Sequence, residues 1–155
     1  MQPYLLSPKE RVRHWREFRL SFTKKELDLE QIAKTMKYWQ PYPTFGRWID
    51  VDFPKTWPTP WELIMDGNIC EFGITYLMEQ TLLMSDDRWN KNRLQLMFVD
   101  DKDISEMKLV LVVDDKYVAN FEYDNIIDFD IIQNTCIIQH KYRALARHKH
   151  KIINN

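Results

Sequence analysis

The chain has 155 residues and a mass of 18.9 kDa, enough for one domain and too little for a second full one. With 45% hydrophobic and 29% charged residues it reads as a globular chain rather than a disordered one. Its 22 Lys+Arg against 23 Asp+Glu give a formal net charge of -1, which argues against a uniformly basic nucleic-acid binder.

No apolar run approaches the ~18 residues of a membrane span. The opening MQPYLLSPKERVRHW lacks a signal-peptide core, so the protein is expected to stay in the cytoplasm that made it. Only Gly46, Gly67 and Gly73 are glycines, too few to build a P-loop or a dinucleotide fingerprint. Cys70 and Cys136 form no CxxC unit, so a cysteine-rich zinc site is excluded on spacing and both are expected as free thiols. No cofactor and no metal are expected.

In chain order, residues 7–22 predict a helix. Ser7 stands at its N-cap, Pro8 at the first position and Glu10 closes an S-x-x-E box. Val12, Trp15, Phe18 and Phe22 form its apolar stripe, flanked by Arg11, Arg13, Arg16 and Arg19. A second helix follows over 27–39 and stops before Pro41. Residues 40–58 predict a long aromatic connection carrying Tyr42, Phe45, Trp48, Phe53 and Trp57. Thr59, Pro60 and Glu62 cap a short helix that ends near Gly67. Asn68 is expected to cap the next helix, 69–84, which is apolar enough to be the central buried one.

After Asp86-Asp87 the character changes to strands at 94–99, 107–113 and 116–123, with a fourth over 135–142. The paired aspartates at 86–87, 100–101 and 114–115 are read as turn residues. Helices first and strands after make an α+β domain: N-terminal helices, a central buried helix and a small antiparallel sheet of 3–4 strands. Residues 1–140 are expected as the single domain and 141–155 as a basic tail.

One constellation has enzyme-like order. Cys70 falls in the first turn of the predicted central helix, where the helix dipole favours a nucleophilic thiolate. A helix with an N-terminal cysteine followed by an antiparallel sheet is the order of a transglutaminase-like or papain-like core. Such a core needs a base on the next strands and a residue to orient it. The base position falls near Met107 and Lys108, and no histidine occurs between Cys70 and His140. Asn120 or Asp124 stands where the orienting residue belongs. The triad is incomplete, which predicts a protein without enzymatic activity. His140 is a second base candidate only in a different arrangement, His14 reads as surface, and His148 and His150 read as part of the basic tail.

Four segments together carry a resemblance: LSPKERVRHWREFR, WPTPWELI at 57–64, CEFGITYLME, and VVDDKYVANFEY. They resemble a family of small, mostly uncharacterised proteins of tailed bacteriophages, especially large marine ones, over roughly residues 5–124. Some members of that family look distantly like transglutaminases. The resemblance implies that Cys70 takes a nucleophile-like position and Lys108 a histidine-like one, with Asn120 as the third vestigial candidate.

On this basis the expected function is a non-enzymatic structural or assembly protein of a phage particle, in its connector, neck or tail. It would sit in the virion after assembly in the bacterial cytoplasm, touching other virion proteins and copies of itself in a ring. The alternatives are a thiol-dependent transglutaminase-like enzyme using Cys70, and a host-takeover factor that binds a host protein or nucleic acid.

Charge segregation refines where contacts are expected. Residues 1–25 carry +5, residues 26–140 carry -11 and residues 141–155 carry +5. The two basic ends and the aromatic loop therefore supply the candidate contact residues: Arg11, Arg13, Arg16, Trp48, Trp57, Arg143 and Arg147. Nucleic acid is the weaker of the partners these ends could meet.

Overall fold

A computed structural model describes residues 2–45, 49–146 and 148–153. Among the described residues five α-helices precede or interrupt a six-stranded antiparallel sheet. The helices are α1 (Pro8–Leu20), α2 (Asp28–Trp39), α3 (Pro60–Asp66), α4 (Glu71–Leu83) and α5 (Phe129–Thr135). The strands are β1 (Leu94–Asp101), β2 (Glu106–Val113), β3 (Tyr117–Glu122), β4 (Asn125–Asp128), β5 (Cys136–Ala146) and β6 (Lys149–Ile153), in the order β4-β3-β2-β1-β5-β6.

The central helix is α4. From Gly73 to Leu82 each of its residues is buried, including Thr75, Glu79, Gln80 and Thr81. Buried polar groups must find partners inside. Thr81 meets this demand and fastens two other helices in doing so. Its Oγ1 donates to the Leu77 carbonyl at 2.6 Å and accepts from the indole N–H groups of Trp15 at 2.9 Å and Trp39 at 2.8 Å. One hydroxyl thus ties α1 and α2 to α4, and the two fully buried tryptophans meet edge-to-face.

The predicted caps divide. Thr59 caps α3 as expected, accepting from Glu62 N at 3.2 Å while Glu62 accepts from Thr59 N at 3.1 Å. Gly67 ends α3 with φ +80°, a left-handed conformation that glycine adopts at little cost. Ser7 occupies the N-cap of α1 but makes no side-chain cap bond. At α4 the cap is Cys70 rather than Asn68, whose side chain turns to Asp66.

Strand alternation gives the sheet two apolar faces. Leu94, Leu96, Phe98, Leu109, Leu111, Val113 and Tyr142 pack with the helices in the main core. Met97, Val99, Val110, Val112, Val118 and Ile127 form a second cluster on the opposite face, closed by Ile132 of α5. The sheet is larger than the three or four strands expected. β4 and β6 are short, and β6 is rich in lysine, so neither carries a strong period-two signal. The tail expected over 141–155 is also corrected: β5 runs on to Ala146, and β6 pairs with it from Lys141↔Ile153 to Ala146↔Lys149. Lysines at an edge strand keep other chains from pairing there.

Of the paired aspartates expected as turns, 86–87 and 114–115 lie between elements, whereas Asp100 and Asp101 end β1, paired with Met107 and Glu106. Asp114 and Asp115 take φ of 56° and 53° between β2 and β3, the left-handed geometry of a tight hairpin. Asp114 also binds Arg93, which reaches Asp28 at 2.7 Å, and Arg88 joins Asp28 to Asp86. The hydrogen bond from Arg93 holds the Asp28 carboxyl below its ordinary range, against a smaller opposing effect of burial. This network fastens the start of α2 to the sheet.

Candidate functional site

Cys70 stands at the N-cap of α4, half-buried and free. Its Sγ accepts a hydrogen bond from Gly73 N at 3.4 Å, so the sulfur faces the unpaired amides at the positive end of a 13-residue helix. Gly73 leaves room for this: a Cβ there would lie 2.9 Å from Ile69 Cγ2 and 3.7 Å from Cys70 Sγ. The entry to α4 is held by the preceding loop, where Thr44 bridges Ile69 and Phe45 N donates to the Ile69 carbonyl at 3.0 Å.

Lys108 does not face Cys70. It pairs with Val99 and alternates along β2 in step with Val110 and Val112 of the second cluster. Its ammonium donates to the Phe121 carbonyl at 3.2 Å, lies 3.5 Å from Asp101 and sits over the Phe121 ring. Asn120 is fully engaged as well. Its amide donates to Thr75 Oγ1 at 2.7 Å and accepts from Gln40 at 3.0 Å, while Thr75 donates to the Leu109 carbonyl. Asn120 adopts φ 66°, which asparagine tolerates better than most residues. Both residues therefore hold β3 where it splays from β2. A cavity of about 200 Å³ opens there, bounded by Glu71, Phe72 and Ile74 on one side and Lys108, Asn120 and Phe121 on the other.

A histidine does reach the helix-facing side of the sheet. His140 of β5 pairs with Phe98 of β1, and its ring stacks on Phe98 at 6.4 Å. Phe98 in turn meets Phe72 of α4 edge-to-face at 5.4 Å, two residues from Cys70. His140 Nε2 and Asp52 Oδ1 are 3.0 Å apart, a histidine oriented by a carboxylate. The strap that carries Asp52 begins at Ile49, whose Cδ1 would lie 3.8 Å from a Cβ on Gly73. The segment 49–52 therefore approaches α4 through Ile49 and His140 through Asp52. The carboxylate partner is 88 residues away in sequence, so no local spacing signalled this pair.

The remaining expected contact residues separate by environment. Arg13 and Arg16 are exposed on α1, as a docking face requires. Arg11 is structural: it donates to the carbonyls of Ile64 at 2.8 Å, Met65 at 2.9 Å and Leu6 at 2.8 Å, capping the C-terminal end of α3. Trp57 is 7% exposed, donates to the Asp50 carbonyl and packs on Tyr76, Tyr142 and His150, so it belongs to the core. Arg143 is half-buried in β5 opposite Lys151. Trp48 and Arg147 lie outside the described residues. His14, expected at the surface, is half-buried and bonded to the Tyr38 hydroxyl at 2.9 Å.

Cys136 lies on the far face with the second cluster. Burial pushes its thiol up, with the Thr135 hydroxyl opposing. His150, read as tail, is fully buried. Its Nε2 lies 2.7 Å from Glu79 Oε1 on α4, with both side chains 0% exposed.

No protein-family model and no curated protein sequence matches the chain. Solved structures do. Calcium-bound Legionella pneumophila LapG aligns with a TM-score of 0.66 and 15% identity, over 88% of this chain and 83% of that one. A second structure of Legionella pneumophila LapG gives 0.68 and 15%, over 90% and 78%. An EGTA-treated form gives 0.68 and 14%, over 90% and 76%. Calcium is named for one of those proteins; among the described residues here, no group of three or more His, Cys, Asp or Glu is placed to hold a metal.

These likenesses correct the expectation of a protein without enzymatic character, because the architecture they share is an enzyme-like one. At this identity the likeness shows the fold alone: an α+β chain that shares its architecture with LapG.

Proposed function

We propose that the Cys70 end of α4 is a thiol-dependent acyl-transfer or hydrolytic site. The observation that carries this reading is the sulfur itself, capping the central helix and receiving the Gly73 N–H at the edge of an enzyme-like core. In the step envisaged, Cys70 Sγ attacks an acyl carbon and the sulfur–carbon bond forms. The leaving amine or alcohol departs with a proton, and water or a second amine then releases the acyl group from sulfur. His140, oriented by Asp52, is the proton carrier, since Lys108 and Asn120 are bound elsewhere.

The test is competitive alkylation with iodoacetamide at neutral pH, read by peptide mass spectrometry. Cys70 is expected to label at least tenfold faster than Cys136. p-Nitrophenyl acetate should leave an acetyl group on Cys70 that is absent in Cys70→Ala and forms more slowly in His140→Ala. Equal, slow labelling of the two thiols with no acetylated Cys70 overturns the reading.

A further inference from the structure

A groove of about 430 Å³ runs between β6 and the segment that leads into α3. It lies apart from Cys70, on the side of the molecule where the short 3₁₀ turn Pro54–Thr56 meets β6. Its volume is in the range of pockets that hold small ligands, roughly 300–1,000 Å³.

The lining is one-signed. Lys55, Lys149, His148 and His150 face it, and among the described residues no carboxylate lines it. Three of these four residues come from the basic 141–155 segment, which carries +5, and Lys55 joins them from the acidic body. The other wall is apolar, formed by Trp57, Leu145 and Pro54, with Leu145 51% exposed.

The floor carries a second observation. His150 is 1% exposed, and its Nε2 is taken by Glu79 on the inner side. Its other ring nitrogen, Nδ1, completes no hydrogen bond among the described residues, although the His148 carbonyl lies close enough to favour its proton. The Nδ1 of His148 is likewise buried without a hydrogen-bond partner among the described residues. The His148 ring nitrogen is therefore the buried polar atom at this edge whose hydrogen bonding is left unmet among the described residues.

We propose that this groove binds a small organic anion, an apolar body ending in a carboxylate. The carboxylate accepts from the histidine edge and lies between Lys55 and Lys149, while the apolar body rests on Trp57 and Leu145. Lys55, Lys149 and His148 line the groove with no carboxylate among the described lining residues, His150 being already paired with Glu79 on the inner side, so the lining favours negative charge, and the indole wall selects against a bare ion. This site is independent of the chemistry at Cys70.

Calorimetric titration of the full chain with phenylacetate tests it, with acetate and benzylamine as comparisons. Phenylacetate should bind saturably and at least tenfold more tightly than acetate, and benzylamine should not bind. The Lys55→Glu/Lys149→Glu variant should weaken phenylacetate at least tenfold with an unchanged far-UV spectrum. Absent binding, equal affinity for benzylamine, or indifference to charge reversal overturns the proposal. Should that variant fail to fold, side-chain NMR of the wild-type chain decides. Shifts at His148 and His150 on adding phenylacetate support the site, and unmoved resonances refute it.

Discussion

Replacing His150 with alanine is the sharpest perturbation of this fold. The imidazole and the Glu79 carboxylate are both 0% exposed and 2.7 Å apart, and Gln80 adds a hydrogen bond to the same carboxylate oxygen at 3.0 Å. Removing one partner of a buried pair leaves the other charge uncompensated and costs about 3–5 kcal/mol. Against the roughly 5–15 kcal/mol that stabilises a domain, this is a large share. Burial works against the imidazolium, but Glu79 outweighs it and holds His150 above its ordinary value of 6.5. A folded-state value raised in this way contributes stability that is fully present below 6.5 and is lost as pH rises through the folded value.

Urea denaturation followed by tryptophan fluorescence measures both effects. The wild-type midpoint should fall as pH increases above 6.5, and Glu79→Gln should flatten that slope. His150→Ala should lose about 3–5 kcal/mol, and the pair Glu79→Met/His150→Leu should recover much of it, because apolar replacement of a buried pair is often neutral. A loss below about 1 kcal/mol in His150→Ala, with an unaltered pH slope, would refute the reasoning, since it lies well under the cost of an unpaired buried charge.

Three further outcomes are expected. Arg11→Ala should destabilise by about 1–3 kcal/mol in the same denaturation assay, because three carbonyls lose a charged donor, whereas Arg13→Ala and Arg16→Ala should stay within about 0.5 kcal/mol. Gly67→Ala should cost more than about 1 kcal/mol: φ is +80°, and the added Cβ would meet Arg11 Nη2 at 2.8 Å and push at the same cap. Thr59→Ala should cost about 0.5–2 kcal/mol, read as a lower midpoint with an unchanged denaturant slope.

The candidate site shows where sequence reasoning stops. Cys70 at the head of the buried helix was legible, because glycine, proline and capping residues punctuate the helices locally. The residues that serve it were not. Spacing put Lys108 at a histidine-like position, but strand parity turns its side chain toward Phe121 and Asp101. His140 is a half-exposed strand residue, and a register shift between Phe98 and Val99 sets it beside Phe98 and within hydrogen-bond distance of Asp52, which no local spacing signals. The expected contact arginine Arg11 proved to be a cap for a helix 53 residues away, which no local pattern announces.

By itself the sequence determined the order of helices before strands, the capped ends of α3, the burial of α4 and the Asp114-Asp115 turn. Each follows from interactions within a few residues, and such interactions are written in local residue choice. Tertiary structure alone decided the six-stranded order, the two tryptophans converging on Thr81, and the fate of the C-terminal residues. A lysine-rich stretch reads as a tail until β5 offers it an edge and Glu79 offers His150 a counter-charge. Those partners lie 71 residues apart for the ion pair, and long-range pairing of that kind leaves no periodicity to read.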